Sequence, residues 1–244
     1  MSSKIAGGSG KENTLAEKIV QFRDLMNQKA LSLGRSPDDI RLLLVSKGVV
    51  TGRIREAFSA GCREFGENRV QELLDKKKQL QAEPFSREIK WHMIGHLQTN
   101  KVNQILKEVV LIHSLDRMAL AEEIDRQAQK KGILQADCLI QVNTSGEETK
   151  FGLPPEEVSA FVQGIQNFRI RIRGLMTIGP NSRDEAFVRP PFRRLKDLQE
   201  QLKKKFTSIN WNILSMGMSS DYRIAIEEGS NLIRIGTAVF GARS

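Results

Sequence analysis

The chain alternates short apolar runs with amphipathic stretches almost from end to end. Residues 14–33 repeat apolar Leu15, Ile19, Phe22, Leu25, Met26 and Ala30 near a 3.6-residue period, which predicts a helix stopped by Gly34. Residues 40–46 (IRLLLVS) form a nearly continuous apolar run, the pattern of a strand buried on both faces. The two signals then recur in turn. Further strands are predicted at 62–65, 89–94, 109–114, 137–143, 170–177, 211–216 and 232–240. Helices are predicted at 53–60, 67–80, 99–107, 116–131, 155–166, 191–206 and 220–228. The helix over 116–131 opens on Asp116, which suits the positive end of its dipole. The polar, proline-bounded stretch 180–191 (PNSRDEAFVRPP) reads as a long mobile loop.

Eight strands, seven intervening helices and one leading helix imply a parallel sheet. Units of roughly 28 residues imply closure, so the fold class is α/β: a single-domain (β/α)8 TIM barrel with an extra N-terminal helix. Only 241–244 follow the last predicted strand, and the leading helix is expected to cover the seam where an eighth helix would pack. Residues 14–244 form the barrel domain; 1–13 are Ser/Gly/Lys-rich, lack the apolar core of a signal peptide and read as a flexible tail. An open doubly wound sheet is the alternative, but no G-x-G-x-x-G turn follows the first strand.

Composition narrows the partners. The 244 residues are 39% hydrophobic and 27% charged, a soluble globular composition. No apolar run nears the roughly 20 residues that span a bilayer. Two cysteines, Cys62 and Cys138, are too few for a disulfide framework and read as small buried residues, so a cytoplasmic protein is expected. The net charge of +9 admits nucleic acid, a membrane surface or an anionic small ligand. With aromatics at 6% and no aromatic stripe through a basic patch, nucleic acid is not expected. The lysine runs at 76–78 and 203–205 read as solvated helix ends. His92 and His96 have the spacing of a helical zinc pair, but WHMI reads as strand and Gly95 breaks a helix, so no metal is expected. No separate dimerisation element is evident, which favours a monomer.

In such a barrel, chemistry sits at the C-terminal ends of the strands. Lys47 ends the first strand, where partial desolvation favours a neutral amine able to attack an aldehyde. A plain rim lysine is the alternative. Met216-Gly217-Met218-Ser219-Ser220-Asp221 after the seventh strand, with Gly236-Thr237 in the eighth, combines glycine, hydroxyls and a helix start, the materials of a phosphate cradle. The alternative is a simple N-cap cluster. Arg234 lies two residues before Gly236, on the same side of its strand, so it points inward and needs an acceptor: a carboxylate, or a ligand's ring nitrogen or phosphate. Amine, cradle and inward cation together suit pyridoxal 5′-phosphate, whose aldehyde the amine captures while the last two connections grip its tail across the barrel. An arginine at the ring nitrogen would leave it unprotonated and a poor electron sink.

The stretches LLLVSKGV, REFGENRVQE, IKWHMIGHLQTNK, IHSLDR, QVNTSGEETKFG, GLMTIGP and LSMGMSSDYRIAIEEGSNLIRIGTAVFG resemble the pyridoxal phosphate homeostasis protein family of the YggS/PROSC type, over nearly the whole chain. The resemblance implies a barrel similar to the N-terminal domain of alanine racemase and a Schiff base on Lys47. It implies phosphate contacts from the MGMS and RIGT segments, here Ser219, Gly236 and Thr237, with Met216 also among the cofactor-binding residues, and Arg234 near the pyridine nitrogen. Asn68 and His92 match motif positions lining the pocket. Two departures stand out: Arg69, where many relatives carry tyrosine, and Gly48-Val49-Val50, where relatives often read TKP or TQP. The resemblance implies binding, buffering or delivery of the cofactor, with PLP-dependent apoenzymes as recipients, and no turnover reaction. A weak amino-acid racemase is the alternative. It needs a base on each side of the substrate carbon, and the only tyrosine is Tyr222.

Overall fold

Eight parallel strands close on one another in chain order: β1 (Arg41–Val45), β2 (Glu64–Glu67), β3 (Lys90–Met93), β4 (Leu111–Leu115), β5 (Ala136–Gln141), β6 (Ile170–Met176), β7 (Ile213–Ser215) and β8 (Leu232–Ile235). The computed structural model describes residues 13–182 and 184–241, so all of the expected N-terminal tail except Asn13 lies outside the described residues. Between the strands run α2 (Thr51–Ser59), α3 (Val70–Leu80), α4 (Val102–Ile105), α5 (Met118–Lys130), α6 (Val158–Gly164), α7 (Glu185–Lys205) and α8 (Tyr222–Glu227). A helix α1 (Leu15–Ser32) precedes the barrel and a single turn, α9 (Thr237–Phe240), follows β8. This is the (β/α)8 TIM barrel with an N-terminal helix that the pattern predicts.

Alternation along each strand divides the core in two. Leu43, Leu111, Leu139, Met176, Ile213 and Leu232 pack inside the barrel. The opposite faces pack outward on the helices, as Leu44, Phe65, Trp91, Cys138 and Ile233 do. Burial of both faces explains why the strands read as unbroken apolar runs. Among the described residues no helix is long and apolar enough to cross a membrane.

α1 is capped by Thr14, whose Oγ1 accepts from Glu17 N–H while Glu17 Oε2 accepts from Thr14 N–H at 2.8 Å, a reciprocal capping box. It buries Leu15, Ile19, Phe22, Met26 and Ala30, whereas Leu25 faces outward. Its neighbours are α2, α8 and α9, so it lies over the closing seam between the first and last strands. It shares that place with α9. The last strand was expected to run to 240, but it ends at Ile235, and the N–H groups of Val239 and Phe240 both donate to Gly236 O, which winds the chain into a helical turn.

Three further expectations need correcting. Most of 180–191 is not loop: α7 starts at Glu185, with the Asp184 carboxylate accepting from Ala186 N–H at 2.9 Å. Pro190 and Pro191 sit inside the helix, where their fixed φ is compatible with it, and burial of Val188, Phe192 and Leu195 holds them there. The expected helix over 67–80 starts only at Val70, because Glu67 is still strand and fully buried. Likewise Asp116 precedes α5 and pairs with Arg117 instead of opening the helix.

Ile19 is fully buried under the seam. Ile19→Ala is expected to cost about 2–5 kcal/mol in urea unfolding, the range for a large aliphatic truncated in a packed core. A loss below about 0.5 kcal/mol, typical of a surface change, would show that α1 is not part of that core.

Candidate functional site

The mouth is built around the end of β1. Leu43 and Val45 face the barrel interior, and Lys47 continues their register, half-buried at the rim. Its two neighbours are clamped from α3. Lys76 Nζ donates to Ser46 O at 2.5 Å, and Glu72 Oε1 accepts from Gly48 N–H at 2.5 Å. Lys76 also donates to Glu72 at 2.6 Å and to Glu67 at 2.7 Å, and Ser46 Oγ donates to the same Glu67 oxygen at 2.6 Å. Lys76 is thus buried, not part of a solvated run, because a carbonyl and two carboxylates compensate its desolvation. Burial pushes the Glu67 carboxyl up, against the lowering by Lys76 and Ser46. Lys47, Gly48, Asn68, Arg69 and Glu72 line a cavity of about 310 Å³. Asn68 is half-buried there, and a Cβ at Gly95 would lie 2.4 Å from Asn68 O, so only glycine lets the end of β3 pass so close to β2.

The loops after β7 and β8 meet beside it. Gly217 has φ +96, and a Cβ there would lie 2.5 Å from Ala225 Cβ, which requires glycine. Asp221 Oδ1 accepts from Met218 N–H at 2.5 Å, and its carboxyl is raised by burial. Ser219 Oγ accepts from Ala238 N–H at 3.3 Å and so joins the two loops. Asp221 is the N-cap of α8 but makes no side-chain cap bond to it. Met216 is fully buried, Gly236 half-buried and Thr237 exposed. β8 pairs with β1 (Leu43↔Arg234, Leu44↔Ile235), so the end of β8 lies beside the end of β1 and not across the barrel from it.

Arg234 points into the barrel and is 4% exposed. Its Nη1 donates to Ser215 Oγ at 2.7 Å and its Nη2 to Thr177 O at 2.8 Å. Neither acceptor is a carboxylate. Burial lowers the guanidinium to about 10, partly offset by the charge of Asp221. Below it, Ser215 Oγ lies 3.3 Å from His113 Nδ1, and His113 Nε2 lies 3.0 Å from His92 Nδ1. His92 is therefore an interior residue, fully buried, that meets the mouth only through His113, Ser215 and Arg234. Burial first, then nearby cations, lowers His92 to about 3, and His113 is pushed well below the ordinary imidazole value. His96 lies elsewhere on the mouth, stacked 4.2 Å from Phe151. Tyr222 packs its ring 4.7 Å from Phe22 of α1, outside the barrel.

The expectation thus placed Lys47, Asn68, Ser219, Gly236 and Thr237 on one rim, with Arg234 inside. It missed Glu72, Lys76 and Glu67 behind Lys47, and His113, Ser215 and Thr177 behind Arg234. The i,i+4 pair Glu72/Lys76 and the inward register of His113 in the fourth strand were the available signals.

A family profile for the alanine racemase N-terminal domain matches residues 38–244. The chain is 42% identical over 228 residues to the pyridoxal phosphate homeostasis protein of Aquifex aeolicus (strain VF5), covering 93% of this chain and 97% of that one. It is 39% identical over 224 residues to the human protein of the same name, covering 87% and 82%. Among solved structures, PipY of Synechococcus elongatus PCC7942 with PLP bound superposes with a TM-score of 0.81 at 34% identity, covering 93% of this chain and all of that one. Alanine racemase of Clostridium difficile 630 gives a TM-score of 0.68 at 15% identity and shares the fold over 56% of its own length.

Two outcomes follow from the buried charges. Lys76→Met leaves Glu67 buried without its cation and is expected to lose about 3–5 kcal/mol in urea unfolding, most of it restored by adding Glu67→Leu. A loss under about 1 kcal/mol would mean the cluster is solvated like a surface pair. Second, His92 stays neutral in the fold down to about 3, while the unfolded imidazole protonates near 6.5. The unfolded chain binds the extra proton, so stability is full above about pH 6.5 and falls as pH drops. The contribution is expected to be about 1.4 kcal/mol per pH unit for each buried imidazole. NMR titration should show the His92 and His113 rings unchanged between about pH 8 and 5; protonation of either ring in the folded protein within that range would contradict it.

Proposed function

The chain belongs to the pyridoxal phosphate homeostasis protein family, and from that premise we propose that it binds pyridoxal 5′-phosphate at the barrel mouth. Its work there is to hold and release the cofactor, not to turn over a substrate. The observation that carries this is the pairing of β8 with β1, which sets an amine beside two loops rich in hydroxyls and glycine.

The donor set fits the cofactor. Bound pyridoxal phosphate supplies an aldehyde that condenses with an amine, an aromatic ring nitrogen and a phosphate dianion. Lys47 would hold the aldehyde carbon through a Schiff base, presented by the Lys76/Glu72 clamp on its flanks. Arg234, buried and bound to no carboxylate, would donate to the ring nitrogen. A donor there leaves that nitrogen unprotonated, which suppresses electron withdrawal from a substrate carbon. Ser219, Gly236 and Thr237 would hold the phosphate through hydroxyls and backbone N–H groups. Asn68 would line the side, and His92 would support Arg234 from below through His113 and Ser215, whereas Met216 packs in the core between the strands and the helices.

Racemisation needs a base on each face of the substrate carbon. Tyr222 is committed to Phe22 and to Arg223, which donates to its hydroxyl at 3.0 Å, so it does not supply one. On this proposal the protein is a cytoplasmic monomer that exchanges cofactor with PLP-dependent apoenzymes, with neither nucleic acid nor membrane as a partner.

The purified protein mixed with pyridoxal phosphate and reduced with borohydride is expected to carry one stable adduct, mapped by mass spectrometry to Lys47. Lys47→Ala is expected to lose it. A reducible adduct of equal yield on another lysine would overturn the assignment, and racemisation of amino acids above the free-cofactor rate would overturn the non-catalytic role.

A further inference from the structure

Five side chains from five strands form a continuous line through the barrel. Arg234 Nη1 donates to Ser215 Oγ at 2.7 Å, Ser215 Oγ lies 3.3 Å from His113 Nδ1, and His113 Nε2 lies 3.0 Å from His92 Nδ1. His92 Nε2 lies 3.7 Å from Glu64 Oε2 and has no hydrogen-bond partner among the described residues. Glu64 is gripped by Arg41, whose Nη2 donates to it at 2.9 Å and whose Nε donates at 3.2 Å. The line runs from the cofactor side of the barrel to the start of β2 at the opposite end.

A neutral imidazole has one donor and one acceptor nitrogen, so the two histidines have only two self-consistent arrangements. In the first, both protons sit on Nε2. His92 N–H faces Glu64, His113 N–H donates to His92 Nδ1, and the Ser215 hydroxyl donates to His113 Nδ1. The Ser215 lone pairs are then left for Arg234. In the second, both protons sit on Nδ1. His92 donates to His113, His113 donates to Ser215, and His92 turns a lone pair toward a carboxylate 3.7 Å away. That distance is too long for a hydrogen bond, so Glu64 acts by charge on dipole. Arg41 offsets part of the Glu64 charge, but the Glu64 oxygen is the nearer group to His92 Nε2 and its side chain is only 14% exposed, so it is the interaction that separates the two arrangements.

We infer that Glu64 is a positioning residue: it sets the tautomers of His92 and His113, and through Ser215 it fixes the guanidinium of Arg234. The tautomer step stands on this chain alone. Only its consequence for the cofactor rests on the proposed function.

Long-range ¹H–¹⁵N NMR of the cofactor-free, full-length protein reads the tautomers directly, and with three histidines in the chain the ring signals are readily assigned. His92 and His113 are both expected to be protonated on Nε2. In Glu64→Gln, Arg41 retains the amide oxygen and the NH₂ faces His92, so both rings are expected to switch to Nδ1. A wild-type Nδ1–H ring at either position, which needs no variant to observe, overturns the inference, as does a folded Glu64→Gln with unchanged rings. In the second arm, Glu64→Gln and Ser215→Ala are titrated with pyridoxal phosphate. Binding is expected to weaken about tenfold, with a shifted absorption band and an adduct still on Lys47. Wild-type affinity and band in both variants would overturn the link to Arg234. A wild-type protein that does not bind the cofactor would instead refute the proposed function and leave the tautomer result standing.

Discussion

The hydrogen-bonded pairing of β8 with β1 is the constraint from which the rest of this molecule follows. Four residue pairs, from Arg41↔Leu232 to Leu44↔Ile235, close the sheet. Closure removes both sheet edges and encloses an interior that must be filled by side chains. It also brings the first strand's terminal lysine beside the two loops that end the barrel. Lys47 and the loops after β7 and β8 become neighbours only because the sheet returns to its starting strand. α1 and α9 then cover that line from outside, which gives the leading helix a structural task tied to the site.

Closure also forces charge into the interior, and the molecule handles it in two ways. Cationic side chains are met by multiple acceptors: Lys76 by a carbonyl and two carboxylates, Arg234 by a hydroxyl and a carbonyl. The imidazoles are kept neutral, because burial penalises a second and third cation near Arg234 and Arg41. The difference matters for the mouth. Arg234 donates to Ser215 and Thr177, and neither acceptor is a carboxylate.

The same economy of groups underlies the proposed role. One lysine is placed at the rim and clamped on both flanks, while the single tyrosine is spent on packing outside the barrel. On the proposed function, Lys47 would anchor the aldehyde and the loops after β7 and β8 would grip the phosphate, with Tyr222 too far committed to serve as a second base.

The sequence by itself determined the architecture, because the two periods of 2 and 3.6 residues are written by local sterics and by which face must leave water. It also named Lys47 and Ser219 at the rim, because the ends of the first and seventh strands are legible, whereas it reads Gly236 and Thr237 inside an eighth strand that in fact ends at Ile235. Local rules misled where a tertiary contact outweighed them. Pro190 and Pro191 read as loop, but the buried Val188 and Phe192 keep them helical. The run at 76–78 read as solvated, but Glu67 and Glu72 draw Lys76 inward. Glu67 read as helix, but β2 extends through it. Only the tertiary structure decided that Glu64, His92, His113, Ser215 and Arg234 form one line, since five strands contribute one member each. Contact across a barrel depends on register and closure, and no local pattern of residues encodes the distance between side chains on different strands.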